Sequence, residues 1–183
     1  KELYLKKLLY KGYTIQPYSP AAGSGLSSHE LNQPGCYRDV KDTTIVALFK
    51  IVHNVKSEFL FSNVDTDLFI MAWTTTPWTL PANVAVAAHP DVDYVTVERS
   101  LPEGGSEKLI LAKALLEKVF RDEEVTILDT FKGKNLKGKK YQPLFTFLPP
   151  DKPAHYVVNA DFVTTEDGTG LVHIAPAFGA DDM

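Results

Sequence analysis

The sequence predicts a mainly β fold with some helix, of the α+β class: a β-barrel decorated by helices. Three observations carry this reading. Seven runs have the length and the β-branched or aromatic composition of strands. Only two stretches have helical spacing, and both are short. Gly, Pro, Ser and Asn collect between the runs, as expected of turns that join many strands.

In chain order, residues 1–11 read as the end of an amphipathic helix closed by Gly12. Thr14-Ile15 has the look of a short strand, and residues 17–36 are a Pro-, Gly- and Ser-rich connector. Strands are expected at 44–52, 67–73, 94–98, 108–111, 125–128, 156–158 and 171–174. Gly104-Gly105 should turn a hairpin. The stretch 112–120 places Leu115, Leu116, Val119 and Phe120 on one helical face. The division that follows is 1–40 as helix end and connector, and 41–183 as the β-barrel domain, truncated at its C-terminal end. The chain opens on Lys1 inside a helical pattern and stops at Met183 after an acidic turn, so it reads as a piece of a longer protein.

At 183 residues the chain can bury one good core, and 44% hydrophobic with 23% charged residues is ordinary for a globular domain. No apolar run approaches the roughly 20 residues that cross a bilayer, so no membrane partner is expected, and no secretory pattern is present. Cys36 is the sole cysteine; no internal disulfide can form, and a reducing, cytoplasmic setting fits. The net charge of −4 argues against a broadly basic nucleic-acid binder but leaves room for a local basic patch.

Several motifs fail. Gly133 to Lys140 nearly spells a phosphate-binding loop, but Lys140 stands where a magnesium-holding hydroxyl is needed, and the surroundings read as a hairpin. A solvated lysine loop, or one that touches RNA phosphates, remains. The five histidines lack metal-ligand spacing and Cys36 lacks a cysteine partner, so no metal is expected.

Two motifs hold. Trp73-Thr74-Thr75-Thr76-Pro77-Trp78-Thr79-Leu80-Pro81-Ala82-Asn83 is a strand that stops at a proline in a cluster of hydroxyls. Strand alternation puts Thr74 and Thr76 on one face and Thr75 on the other. The hydroxyls and the Asn83 amide can both donate and accept hydrogen bonds. Threonine's β propensity, with proline as terminator, explains the same residues without a site. The second motif runs from Glu166-Asp167-Gly168-Thr169-Gly170, a turn that lets backbone approach a ligand closely, through His173 to Pro176. Phe178-Gly179-Ala180-Asp181-Asp182 then looks like the start of a helix. His173 also suits a satisfied core histidine, and Asp181 and Asp182 suit helix capping.

Together these residues resemble the editing domain inserted into class I aminoacyl-tRNA synthetases, most closely its isoleucyl form. The resemblance runs from Tyr10-Lys11-Gly12-Tyr13 to the end. Thr76 followed by Pro77-Trp78-Thr79-Leu80-Pro81 matches the isoleucyl pattern, where valyl and leucyl enzymes usually carry Thr-Thr-Arg-Pro. Ala175-Pro176-Ala177-Phe178-Gly179 matches likewise. The connector run Tyr18-Ser19-Pro20-Ala21-Ala22 stands where many isoleucyl enzymes have a Trp-Cys-Pro-x-Cys-like run, so the zinc site of the family is not expected. The resemblance implies a deacylase that hydrolyses mischarged Val-tRNA(Ile), with Val-AMP as a further candidate. Isoleucine would be excluded by size.

It further implies roles. Asp182 binds the substrate ammonium. Thr74, Thr75 and Thr76 line the pocket and orient water and the terminal adenosine. Asn83 supports the water or the ester oxygen, and His173 walls off the larger side chain. Trp73, Thr79 and Gly170 are additional substrate contacts. No cofactor is implied for this piece; ATP and Mg belong to the synthetic site of the parent. The partners implied are the acceptor end of tRNA(Ile), mischarged valine and the rest of the parent synthetase, with the isolated domain a monomer. Competing readings are a valyl- or leucyl-type editing domain and a non-catalytic module that binds the tRNA acceptor end.

Overall fold

Nothing in the first part of the chain finds a core. The computed structural model describes residues 1–147 and 149–182, and no described side chain before Ala47 is buried. Helix α1 spans only Glu2–Leu5, and Lys7 turns into the left-handed region at φ 57. The helix expected through residue 11 therefore stops early, without help from Gly12. Leu3, Leu5, Leu8 and Leu9 are all exposed, and a short helix with no tertiary packing is not stable enough to propagate. Thr14-Ile15 is not a strand. Instead β1 (Tyr18–Ser19) and β2 (Ser24–Gly25) form a small hairpin. Helix α2 (Ser28–Leu31) is one turn, fixed by a capping box between Ser27 and Glu30.

The body begins with β3 (Ile45–Lys50) and β4 (Leu68–Thr74). It continues through β5 (Ala85–Ala88), β6 (Asp93–Ser100), β7 (Ser106–Ala112), α3 (Leu116–Phe120) and β8 (Val125–Lys132). It closes with β9 (Tyr156–Asn159) and β10 (Leu171–Ile174). Eight strands make one curled sheet in the order β8-β6-β7-β4-β10-β5-β9, with β3 on the other edge of β4. The curl is a half-barrel. Single bridges from Lys140 to Tyr156 and from Tyr141 to Ile51 tie β9 back toward β3.

Strand alternation sorts the core. Leu68, Ile70 and Ala72 of β4 face the inside with Phe49, Val86, Ile110 and Leu171. Met71 faces the other side with Val95, Val97, Leu109, Leu111 and Phe120. Both faces of β4 and of the second half of β7 are covered, which is why Leu68–Trp73 and Leu109–Ala112 are apolar without interruption. Gly104 and Gly105, at φ 93 and 87, turn β6 into β7 as the sequence predicts.

Three differences have physical causes. β5 has no signal in the sequence, because its Ala-Val-Ala-Ala run has little strand propensity; pairing with β10 and β9 makes it a strand, and all four residues are buried. Ala112 ends β7 rather than starting a helix; a 3₁₀ turn (Lys113–Leu115) precedes α3, with Leu115 packed inside and Phe120 outside. The lysine loop is not a hairpin but a 3₁₀ turn (Gly133–Leu136) anchored by fully buried Leu136.

Candidate functional site

Parallel pairing of Val172 with Trp73 sets β4 and β10 side by side, so both chains leave the sheet at the same edge. Each then meets a proline, Pro77 or Pro176, which cannot donate to a ladder. Two irregular exits thus converge at one place.

On the β4 side the hydroxyls are already organised. The Thr76 backbone N–H donates to Thr74 Oγ1 at 3.1 Å, and the Thr74 and Thr76 hydroxyls stand 3.4 Å apart. They share a side as expected, but β4 ends at Thr74, and the bend that follows brings Thr75 to the same cleft rather than to the opposite face. The chain then makes a 3₁₀ turn (Pro77–Ala82), which brings Thr79 back beneath them. Thr79 Oγ1 donates to the Thr76 carbonyl at 2.8 Å and lies 2.9 Å from His173 Nε2. A hydroxyl has one proton, and the carbonyl takes it. His173 Nε2 must therefore carry the hydrogen that points at Thr79. Nδ1 is left as the lone-pair nitrogen, buried and without a hydrogen-bond partner.

On the β10 side, Asp182 folds back over the strand exit. Its Oδ2 accepts from the Ala175 N–H at 2.8 Å, and a Cβ on Gly179 would lie 2.8 Å from its carboxyl carbon. The segment after Pro176 is a turn, not the helix expected from its acids. Asp182 Oδ1 has no donor among the described residues. Burial holds His173 below the ordinary histidine value, and the Asp182 carboxylate works against that shift. The pair is close enough to interact, and the ring is neutral at pH 7.

Trp73, Thr74, Thr75, Thr76, Thr79, His173 and Asp182 line one cleft of about 260 Å³. A cavity below the roughly 300–1,000 Å³ of larger ligand sites suits a group the size of a small amino-acid side chain. Phe178, 59% exposed, forms part of the same lining and is not among the residues the sequence assigns to the site. Its signal was its place in the Ala-Phe-Gly turn between Pro176 and Asp182.

Two sequence candidates do not reach the cleft. Asn83 is buried with both amide functions in use: Nδ2 donates to the Ala85 carbonyl at 2.8 Å, and Oδ1 accepts from the Tyr141 hydroxyl at 2.6 Å. It clamps the end of the 3₁₀ turn. Gly170, at φ 72, packs against Ala112, and its carbonyl accepts from the Tyr94 hydroxyl at 2.6 Å. Gly168 is likewise pressed against the Trp73 ring. The close approach permitted by these glycines serves the protein's own packing.

A larger hollow of about 750 Å³ lies beside α3, walled by Glu98, Glu117, Glu123 and Glu124. Arg121, Ser100, Ser106 and Thr126 share that lining, but Ser106 is already bound to Glu98, and no carboxylate stands beside a strand-exit threonine cluster as Asp182 does in the smaller cleft. Among the described residues no group of three or more His, Cys, Asp or Glu is placed to hold a metal, and no helix is long and apolar enough to cross a membrane.

No family model matches the chain. Its relatives, however, are consistent. It is 51% identical to isoleucine–tRNA ligase of Porphyromonas gingivalis over 99% of this chain and 17% of that protein. It is 50% identical to the enzyme of Clostridium novyi over 100% of this chain and 16% of that protein. The chain is homologous, over its whole length, to one segment of isoleucine–tRNA ligases. It spans 17% of the length of the first of these relatives.

Among solved structures it resembles GlLeuRS-CP1 with a TM-score of 0.59 and 17% identity, over 73% of this chain and 55% of that one. It also resembles the editing domain of the cytosolic leucyl-tRNA synthetase of P. knowlesi, with a TM-score of 0.57 and 14% identity, over 74% and 59%. At such identities the likeness speaks for the fold alone. That fold is the curled β domain of class I synthetase editing modules, as the sequence predicts.

Proposed function

We propose that the cleft is an editing site that hydrolyses the ester of mischarged Val-tRNA(Ile). The observation that carries this reading is the placement of the Asp182 carboxylate and the Thr74–Thr76 hydroxyls in one small cleft. Asp182 Oδ1 takes the α-ammonium of the bound valine, a charge-assisted contact for a cation leaving water. The threonines hold the terminal ribose and orient a water at the ester carbonyl. Water adds, the ester C–O bond breaks, and valine leaves with the 3′-terminal hydroxyl restored. No protein nucleophile enters. The work is positioning and stabilisation of the oxyanion.

His173 and Thr79, locked together at the back of the cleft, supply a wall that does not yield. Forcing one extra methylene into such a wall costs about 1–3 kcal/mol, and the penalty falls on isoleucine. The partners are the acceptor end of the tRNA and the remainder of a synthetase.

The test measures release of amino acid from valyl- and isoleucyl-tRNA(Ile) by the chain and by Asp182→Asn. The amide can still accept from the Ala175 N–H, so the turn survives while the charge is lost. Valine should be released and isoleucine spared. The variant should lose roughly 30-fold or more, as expected when one member of a desolvated charge pair is removed at about 2–5 kcal/mol. tRNA binding without release would make this a non-catalytic acceptor-end module. Full activity in the variant would remove Asp182 from the mechanism.

A further inference from the structure

We propose that the lysine segment between β8 and β9 is a track for the phosphate backbone of the RNA whose end enters the cleft. The proposal rests on the editing reading above and extends it from the 3′ end to the stem that follows.

Residues 132–147 contain five lysines and no acid, in a chain of net charge −4. Lys132 is paired with Asp93. Lys134, Lys137, Lys139 and Lys140 have no carboxylate within ion-pair distance among the described residues, and neither has nearby Lys56. Lys134, Lys137 and Lys140 are exposed. Lys139 sits over the Phe59 ring at 5.2 Å, and burial together with Lys56 holds it below the ordinary lysine value. Lys56 and Lys139 are therefore like charges that act on each other, and an approaching anion relieves that repulsion.

The path of the backbone gives the track its direction. Lys134 N–H donates to the Pro90 carbonyl, just past the far end of β5. Gly138 and Lys139 then bond with Val157, and Lys140 bridges to Tyr156, which pairs with Ala85 at the near end of β5. Next comes Tyr141, whose hydroxyl holds Asn83 at the end of the 3₁₀ turn that carries Thr79. The segment thus runs along β9 from one end of the sheet to the end where the cleft opens. Lysines spaced along that line by an anchored backbone suit successive phosphates of a single strand of nucleic acid.

The experiment compares the 183-residue chain with the triple variant Lys134→Gln, Lys137→Gln, Lys140→Gln. A control, Lys7→Gln, Lys11→Gln, Lys41→Gln, removes the same charge from the exposed N-terminal arm. Binding of uncharged tRNA(Ile) is followed by fluorescence anisotropy across a salt series. Each phosphate contact contributes about 0.7–0.9 to the slope of log K against log salt, so the triple variant should lose about two to three. The control should keep the slope. KM for valyl-tRNA should rise about tenfold with kcat unchanged.

An unchanged slope overturns the proposal and turns these lysines toward a protein neighbour. An equal loss in the control also overturns it, because bulk charge would then suffice, and so does absence of binding at low salt. Asp182→Asn must leave the slope untouched. Failure of hydrolysis and failure of the track are therefore separate readouts.

Discussion

Replacing Thr79 by Val tests the hydroxyl that organises the back of the cleft. The side chain is buried, and its oxygen accepts from His173 while donating to Thr76. Valine keeps the shape and removes both bonds. His173 Nε2–H then has no acceptor, in a ring whose Nδ1 already has no partner. An orphaned buried donor costs about 1–3 kcal/mol. At about 2 kcal/mol, a chain of this size should lose about 4–8 °C in Tm.

The chemical effect is more diagnostic than the melting point. Freed from Thr79, the ring proton is better placed on Nδ1, in the field of the Asp182 carboxylate that already acts on this ring. Two-bond 15N–1H correlation spectra of His173 should show Nε2 protonated in the parent and Nδ1 protonated in Thr79→Val. A ring N–H turned into the field of Asp182 offsets part of the charge that attracts a substrate ammonium, so KM for valyl-tRNA should rise more than kcat falls. Thr79→Ser restores the hydroxyl and should restore the tautomer, the Tm and KM. An unchanged tautomer in Thr79→Val, or a Ser variant that behaves like Val, refutes the assignment.

Other outcomes follow from the same contacts. Tyr141→Phe strands Asn83 Oδ1 in a buried site and should cost about 1–2 kcal/mol in denaturant unfolding. Its activity below the melting transition should change little if Asn83 is a clamp, and a collapse of kcat without loss of stability would return Asn83 to the chemistry. His173→Ala opens the wall and should let isoleucyl-tRNA be hydrolysed; unchanged selectivity would remove His173 from the sieve. For pH, the folded state holds the His173 pKa below its unfolded value near 6.5, so the unfolded chain binds more protons in that window. Stability contributed by neutral His173 is then complete above about pH 6.5 and lost as pH falls through the folded pKa. Urea midpoints should decline on acidification, and His173→Gln should flatten that part of the profile.

The fold was legible wherever a strand also had strand composition. β10 matches its predicted bounds, and β4 differs at its ends by a residue, because β-branched and aromatic runs bounded by prolines and glycines leave little alternative. β5 was invisible for the opposite reason: three alanines become a strand only through neighbours on both sides. The N-terminal arm departs from its helical pattern, since amphipathic spacing in Leu3, Leu5, Leu8 and Leu9 promises a helix only if something covers the leucines. In the site, the threonine run before Pro77 was legible as a hydroxyl cluster, but alternation fails beyond Thr74, where the strand ends and Thr75 joins the same cleft. The bond from Thr79 to His173 joins residues 94 apart and no local pattern announces it. Asn83 has a residue type that suits catalysis, but the Tyr141 hydroxyl that occupies it is 58 residues away.

The cleft owes its place to one feature of the topology. β4 has β7 along its first half and β10 along its last residues, both parallel to it and on the same edge. β7 must turn away before Trp73, and Ala112 at its end takes a hydrogen bond role with Thr169, whose carbonyl accepts from the Ala112 N–H. Thr169 also donates to the Met71 carbonyl. The incoming β10 is thereby stitched to β4 and to the end of β7 just before it reaches Trp73. That seam fixes where His173 stands against Thr79 and how far Asp182 can fold back. Glycine is required at 168 and 170 on either side of the seam, where φ is 73 and 72 and a Cβ would collide with Trp73 or Ala112. A side chain at 170 would press on Ala112 at the β10 seam, whereas one at 168 would press on Trp73 beside Thr74, so the two positions disturb the cleft from opposite sides.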